Sequence, residues 1–109
     1  ICRDLAGKDI GQTIIVKEGA IIAVEAVEGT DETIDRGGRL AGSGVVMVKM
    51  SRPKQDMRYD IPTIGMETIN RLADMKAAGL AFEAGRVVIV NKDEVIERAN
   101  SSGIALVAV

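Results

Sequence analysis

The chain contains no histidine and no tryptophan, and it has a single cysteine, Cys2. Serine–histidine triads, cysteine–histidine nucleophile pairs and Cys/His zinc sites are therefore excluded within this segment. Any chemistry falls to carboxylates, Lys, Arg, Tyr, hydroxyls, backbone amides or a hard metal ion. One cysteine permits no internal disulfide, which fits a reducing compartment. Aromatic residues make up 2% of the chain, Tyr59 and Phe82 alone, so no base-stacking platform is available and the core has to be aliphatic. The net charge of −2 lacks the basic excess that a phosphate backbone requires, and the lysines and arginines are scattered, so nucleic acid is not an expected partner. The longest apolar stretches, "AIIAVEAV" and "VVIV", fall far short of the ~20 residues that span a bilayer, and no charged n-region precedes an apolar one. A cytoplasmic location is the default expectation.

What is present is an ordinary globular balance, 47% hydrophobic and 28% charged over 109 residues, enough for one domain with a modest core. The sequence begins at Ile1 and runs at once into "CRDLAGKDIG", which reads as the tail of a helix entering a domain. A fragment of a longer protein is expected. "QTIIVKEGAIIAVEAV" holds two β-branched runs around "KEG", and a Glu-Gly pair supplies the positive φ of a tight turn. This predicts a hairpin with strands near 12–17 and 20–27. A helix follows near 31–41, capped by Thr30 or Asp31 and weakened or ended by Gly37-Gly38, then a buried strand over 44–50. "TIGMETINRLADMKAAG" predicts a helix from a Thr63 cap to a Gly79 stop, with Ile64, Ile69, Leu72 and Met75 on one face. "LAFEAGRVVIV" predicts two strands turning at Ala84-Gly85, followed by a helix over 92–101 and a closing strand. The fold class is α/β, a mixed β-sheet with an N-terminal β-hairpin and about three packed helices.

Polar chemistry concentrates in "SRPKQDMRYDIPTIG", residues 51–65. The prolines bias Arg52 and Ile61 toward extended backbone, and the window between them is too short to nucleate a helix comfortably. Alternation then puts Lys54, Asp56, Arg58 and Asp60 on one face and Met57, Tyr59 and Ile61 mainly on the other. The face of alternating charge is either the solvated side of an edge strand or a site. As a site, two carboxylates about 7 Å apart could share a hard cation while Lys54 and Arg58 neutralise phosphate oxygens. "VEGTDE", 27–32, joins a strand to a helix, so Gly29 and the helix amides could receive a phosphate. The same residues also read as a plain N-cap, with Asp31 and Glu32 complementing the helix dipole. "DIGQ", "RGG" and "FEAGR" read as strand entry, helix terminus and hairpin turn, and Cys2 as an inert thiol.

Taken in order, "DIGQTIIVKEGAIIAVEAVEGTDETIDRGG", "KMSRPKQDMRYDIPTIGMETI" and "AFEAGRVVIV" resemble the C-terminal domain of the UDP-2,3-diacylglucosamine pyrophosphatases called LpxI. The resemblance implies a two-domain cytoplasmic enzyme of lipid A biosynthesis, with an N-terminal domain outside this segment. That enzyme hydrolyses the pyrophosphate of a lipid-linked UDP-sugar to UMP and 2,3-diacylglucosamine 1-phosphate, with Mg2+. Carried over, Asp56 is the first choice for the essential carboxylate, as a magnesium ligand or by orienting water, and Asp60 is the second. Asp31 is a further metal ligand, Gly29 and Thr30 approach phosphate, Lys54 and Arg58 stabilise developing charge, and Gln12 and Gln55 orient water or substrate hydroxyls. Peripheral contact with the inner membrane surface and association of copies are compatible with this reading. The alternative is a non-catalytic binding or assembly module in which the same charges form solvated edges.

Overall fold

A computed structural model of the chain describes residues 13–50 and 62–109. The chain runs β1 (Thr13–Lys17), β2 (Ala20–Val24), α1 (Thr30–Ala41), β3 (Val46–Lys49), β4 (Thr63–Ile64), α2 (Met66–Asp74), β5 (Gly79–Phe82), β6 (Val88–Ile89), α3 (Lys92–Ser101) and β7 (Ala105–Ala108). The hairpin forms where the Glu-Gly pair predicts it. Glu18 and Gly19 both have positive φ, 51° and 82°, the backbone of a type I′ turn whose twist suits the strands it joins. β2 stops at Val24, short of the predicted 27, and Val27 is fully exposed.

Five strands form one mixed sheet in the order β2-β1-β3-β5-β7. β1 is antiparallel to both β2 and β3, whereas β3, β5 and β7 are mutually parallel. The alternation of each strand sends Ile15, Met47 and Leu80 to the same face, where they meet Ile34 of α1, Ile69 and Leu72 of α2, and Val95 and Ala99 of α3. All are at most 1% exposed, and each large side chain so buried contributes about 1.5–3 kcal/mol. The opposite face carries a smaller cluster, Ile14 and Met50 with Val16, Val24 and Val48.

The helix expected near 31–41 forms as α1, which runs through Gly37 and Gly38 to Ala41, and two other local expectations are corrected. A Cβ at Gly37 would lie 2.8 Å from Ile15 Cγ2, so the missing side chain lets the helix sit close on β1. α2 is shorter than the predicted helix: Thr63 and Ile64 form β4, Gly65 is extended, and Gly79 belongs to β5. The helix ends in a Schellman motif, with Lys76 at φ 58° and bonds from Lys76 N to Ala73 O (3.0 Å) and from Ala77 N to Leu72 O (2.9 Å). Finally, β5 and β6 are not a hairpin. β5 is already paired on both edges, by β3 and β7, and the turn after Glu83 carries the chain to β4, with which β6 pairs in parallel.

Candidate active site

Beyond Met47 on β3 the same face continues to Lys49. Likewise Thr13 precedes Ile15 on β1 by two residues, and Glu25 follows Ala23 of β2 by two. These three polar residues form a row across the sheet at the carboxyl end of β3: Thr13 is the register partner of Lys49, and Glu25 N donates to Thr13 O at 2.9 Å. All three are buried. Polar groups so placed need partners, and they have them. Thr30, the first residue of α1, donates from Oγ1 to Glu25 Oε2 at 3.2 Å and lies 3.4 Å from Thr13 Oγ1. The Lys49 ammonium donates to the Thr63 carbonyl at 2.8 Å. Burial pushes the Lys49 pKa below its usual range, against the attraction of Glu25 and Asp31.

Gly29 makes the turn into α1 at φ 89° and ψ 168°, a conformation that L side chains avoid, and no neighbour lies within 4 Å of a Cβ built there. Its glycine answers a backbone need and not a lack of space. Asp31, one residue into the helix, faces α2 across a groove lined by Ile34, Asp35, Gly38, Glu67, Arg71 and Met75. Arg71 reaches three carboxylates: Asp35 at 2.6 Å, Glu67 at 3.3 Å and Asp31 at 3.6 Å. Partial burial raises the Asp31 pKa, opposed by Arg71 and reinforced by Glu67 and Asp35. On the outer side of the same turn, Glu28 pairs with Arg36, which also donates to Val24 O at 2.7 Å. The Glu28 carboxyl is held below its ordinary value by its own backbone amide, with help from the Ala26 amide and Arg36.

Of the residues singled out in the sequence, Gly29, Thr30 and Asp31 meet at this end of the sheet, but Thr30 is engaged with Glu25 and Asp31 leans toward Arg71. Arg36 of "RGG" lies within the helix and serves Glu28 and Val24. Gln12, Lys54, Gln55, Asp56, Arg58 and Asp60 lie outside the described residues. Among the described residues no three His, Cys, Asp or Glu side chains could hold a metal ion. All three carboxylates are engaged by Arg71, and Asp31, the furthest at 3.6 Å, is the one best placed to offer an oxygen to a hard cation. Sequence reasoning missed Thr13, Glu25, Lys49 and Arg71. The signal for the first three was available: each stands two residues from a core aliphatic, on the same face of its strand.

A mixed α/β sheet with a buried polar row and a helix N-terminus at the carboxyl end of its first parallel strand has the layout of a ligand-binding or catalytic domain of the open α/β type. The profile of the LpxI C-terminal domain matches residues 1–107. The chain belongs to the LpxI C-terminal domain family. It is 38% identical over 117 residues to the UDP-2,3-diacylglucosamine pyrophosphatase LpxI of Caulobacter vibrioides, an alignment that covers 100% of this chain and 42% of that protein. The chain thus spans about two-fifths of the length of the curated relative that it matches.

Proposed function

We propose that this chain is the C-terminal, site-bearing domain of a hydrolase that cleaves the pyrophosphate bond of UDP-2,3-diacylglucosamine to UMP and 2,3-diacylglucosamine 1-phosphate, in lipid A biosynthesis. The observation that carries the reading is the family match along residues 1–107, together with the pyrophosphatase that aligns over the whole chain. The geometry supports it. Thr13, which follows "DIGQ", starts β1; Gly29 of "EGTD" immediately precedes α1; Met50 follows the end of β3; and Pro62 precedes β4, whose Thr63 carbonyl accepts from Lys49, so all four adjoin one end of the sheet. The three motifs are therefore joined to the same end of the fold.

In this reading Asp56 is the essential carboxylate and Asp60 its reserve, with Lys54 and Arg58 stabilising the charge that develops on the phosphates. Gly29 and Thr30 position a phosphate beside the first turn of α1, and Gln12 and Gln55 orient water or substrate hydroxyls. The described residues do not make a magnesium site by themselves, so Mg2+ is proposed to be held by Asp31 with Asp56, where it would neutralise the pyrophosphate. The remaining part of the protein, an N-terminal domain, contributes to the acyl groove. The enzyme works in the cytoplasm, in peripheral contact with the inner membrane surface, and self-association is compatible with this. Among the described residues no helix is long and apolar enough to cross a membrane.

The test is UMP release by the full-length protein and by Asp56→Asn. Turnover should fall on the order of a hundredfold or more. Unfolding free energy should stay within ~0.5 kcal/mol, as for an exposed replacement. Near-normal turnover of Asp56→Asn over a range of magnesium concentrations would move the role to Asp60 or Asp31. Absence of UMP release from the unaltered protein would favour a non-catalytic module.

A further inference from the structure

Arg71 of α2 stands among three carboxylates and does not engage them alike. Its Nη1 donates to Asp35 Oδ2 at 2.6 Å and its Nη2 to Glu67 Oε1 at 3.3 Å. Its Nε is buried and makes no hydrogen bond, because Asp31 Oδ2 lies 3.6 Å away, beyond hydrogen-bond reach. The tie between the two helices does not need this third acid. Asp35 from α1 and Glu67 from α2 already occupy both terminal nitrogens of the guanidinium. Asp31 stands instead two residues after Gly29, where the chain turns into α1. An arginine free to move would close on it, since a charge-assisted hydrogen bond is shorter and stronger than a contact at that distance. The two bonds to Asp35 and Glu67 hold the guanidinium back.

We propose that Asp35 and Glu67 are positioning residues, which hold Arg71 short of Asp31 and so keep the Asp31 carboxylate near a cation yet available at the mouth of the site. The functional consequence rests on the reading above, in which Asp31 is a carboxylate of that site, but the arrangement of the four side chains does not. The Asp31 side chain is 39% exposed, so a reagent in solution can reach it.

The test uses the full-length protein in three forms: unaltered, Asp35→Ala/Glu67→Ala, and Asp35→Ala/Glu67→Ala/Arg71→Met. Carboxylates are labelled with glycine ethyl ester after carbodiimide activation and located by peptide mass spectrometry, with exposed Glu18 of the hairpin turn as the internal standard. In the double variant the guanidinium has Asp31 alone to bond, and labelling of Asp31 should fall severalfold. The kcat for UMP release should fall with it, on the order of tenfold to a hundredfold, with KM little changed. The melting temperature should hold, because partly exposed ion pairs contribute little and alanine favours both helices. Methionine at position 71 removes the cation, so labelling and kcat should both recover. Unchanged labelling of Asp31 in the double variant would overturn the proposal, and so would reduced labelling with kcat unaltered. A loss of kcat that follows the melting temperature and persists in the triple variant would overturn it too, leaving the cluster a helix tie only. If the unaltered protein releases no UMP, the hydrolase reading fails by itself, and labelling alone decides the arrangement: a fall reversed by Arg71→Met sustains it, and no fall ends it.

Discussion

Replacing Gly37 by alanine puts two known effects in opposition at one atom. Alanine is the better helix former by about 1 kcal/mol, and Gly37 lies inside α1, where that gain should apply in full. The new Cβ, however, would stand 2.8 Å from Cγ2, 3.0 Å from Cγ1 and 3.1 Å from Cβ of Ile15. Carbon atoms in contact prefer about 3.5–4.0 Å, so several tenths of an ångström have to be found. Ile15 cannot supply them by turning, since it is β-branched, fully buried and paired on both sides by β2 and β3. The helix has to lift instead, at an overpacking cost of about 1–3 kcal/mol. The net expectation is a loss of about 1–2 kcal/mol. Gly38→Ala makes the control, because its Cβ meets the Met75 Cε at 3.1 Å, the mobile end of a thioether. It should stabilise by about 0.5–1 kcal/mol. Urea unfolding of the 109-residue chain, followed by far-ultraviolet circular dichroism, measures both. Repeating Gly37→Ala in an Ile15→Ala background should cancel the loss or turn it into a gain. If both alanines shift stability in the same direction by similar amounts, or if the Ile15 background makes no difference, the close seating of α1 on β1 is wrong.

Gly29→Ala should cost about 1–3 kcal/mol through backbone strain alone, since no atom obstructs the new methyl, and equilibrium unfolding checks it. A neutral result would mean that the turn before α1 leaves φ 89° at little cost. Arg71→Leu should destabilise modestly, because the side chain is one-third exposed and its ion pairs are screened by water, by releasing Asp31, Asp35 and Glu67 to repel one another; urea unfolding measures it. The deficit should shrink in 1 M salt, where the Debye length is about 3 Å, and a deficit independent of salt would point to lost packing.

The hairpin, α1, α3 and the closing strand were legible because their signals are local: the Glu-Gly turn, and acids in the first turns of α1 and α3. The fate of "LAFEAGRVVIV" was not local. Two short apolar runs around Ala84-Gly85 look like a hairpin from within, and Gly85 does turn, at φ 76°. What decides the outcome is that β3 and β7, distant in sequence, occupy both edges of β5 first. Ile64 misled in the same manner. Its spacing from Ile69 and Leu72 suits a helix face, yet its full burial comes from β4, beside Ile89. At the site, Gly29, Thr30 and Asp31 could be singled out because a glycine-bearing strand-to-helix link opens a helix N-terminus to close approach, although the same residues also read as a plain N-cap. Lys49 and Glu25 escaped because a charge at a strand end ordinarily points to water. Only the alternation set by Met47 and Ala23 shows that these two face inward.

The antiparallel placement of β1 gives the site its composition. In a sheet of parallel strands the carboxyl ends gather the loops that follow each strand, and "EGTD" and the chain leaving β3 at Met50 would start from one end only if β2 and β3 point the same way. They do, because β1 lies between them and is antiparallel to each. The same inversion brings the start of β1, and with it the attachment of "DIGQ", to the carboxyl ends of its neighbours. Were β1 to run the other way, Thr13 would sit at the far end of the strand, about 13 Å off at the usual rise per residue. Lys49 and Glu25 would then lose the hydroxyl between them. The type I′ turn at Glu18-Gly19 has thus a consequence beyond the hairpin it closes. By reversing the chain after five residues of β1, it brings Thr13, Gly29 and Lys49, the described residues at or next to which three polar stretches attach, to one end of the sheet.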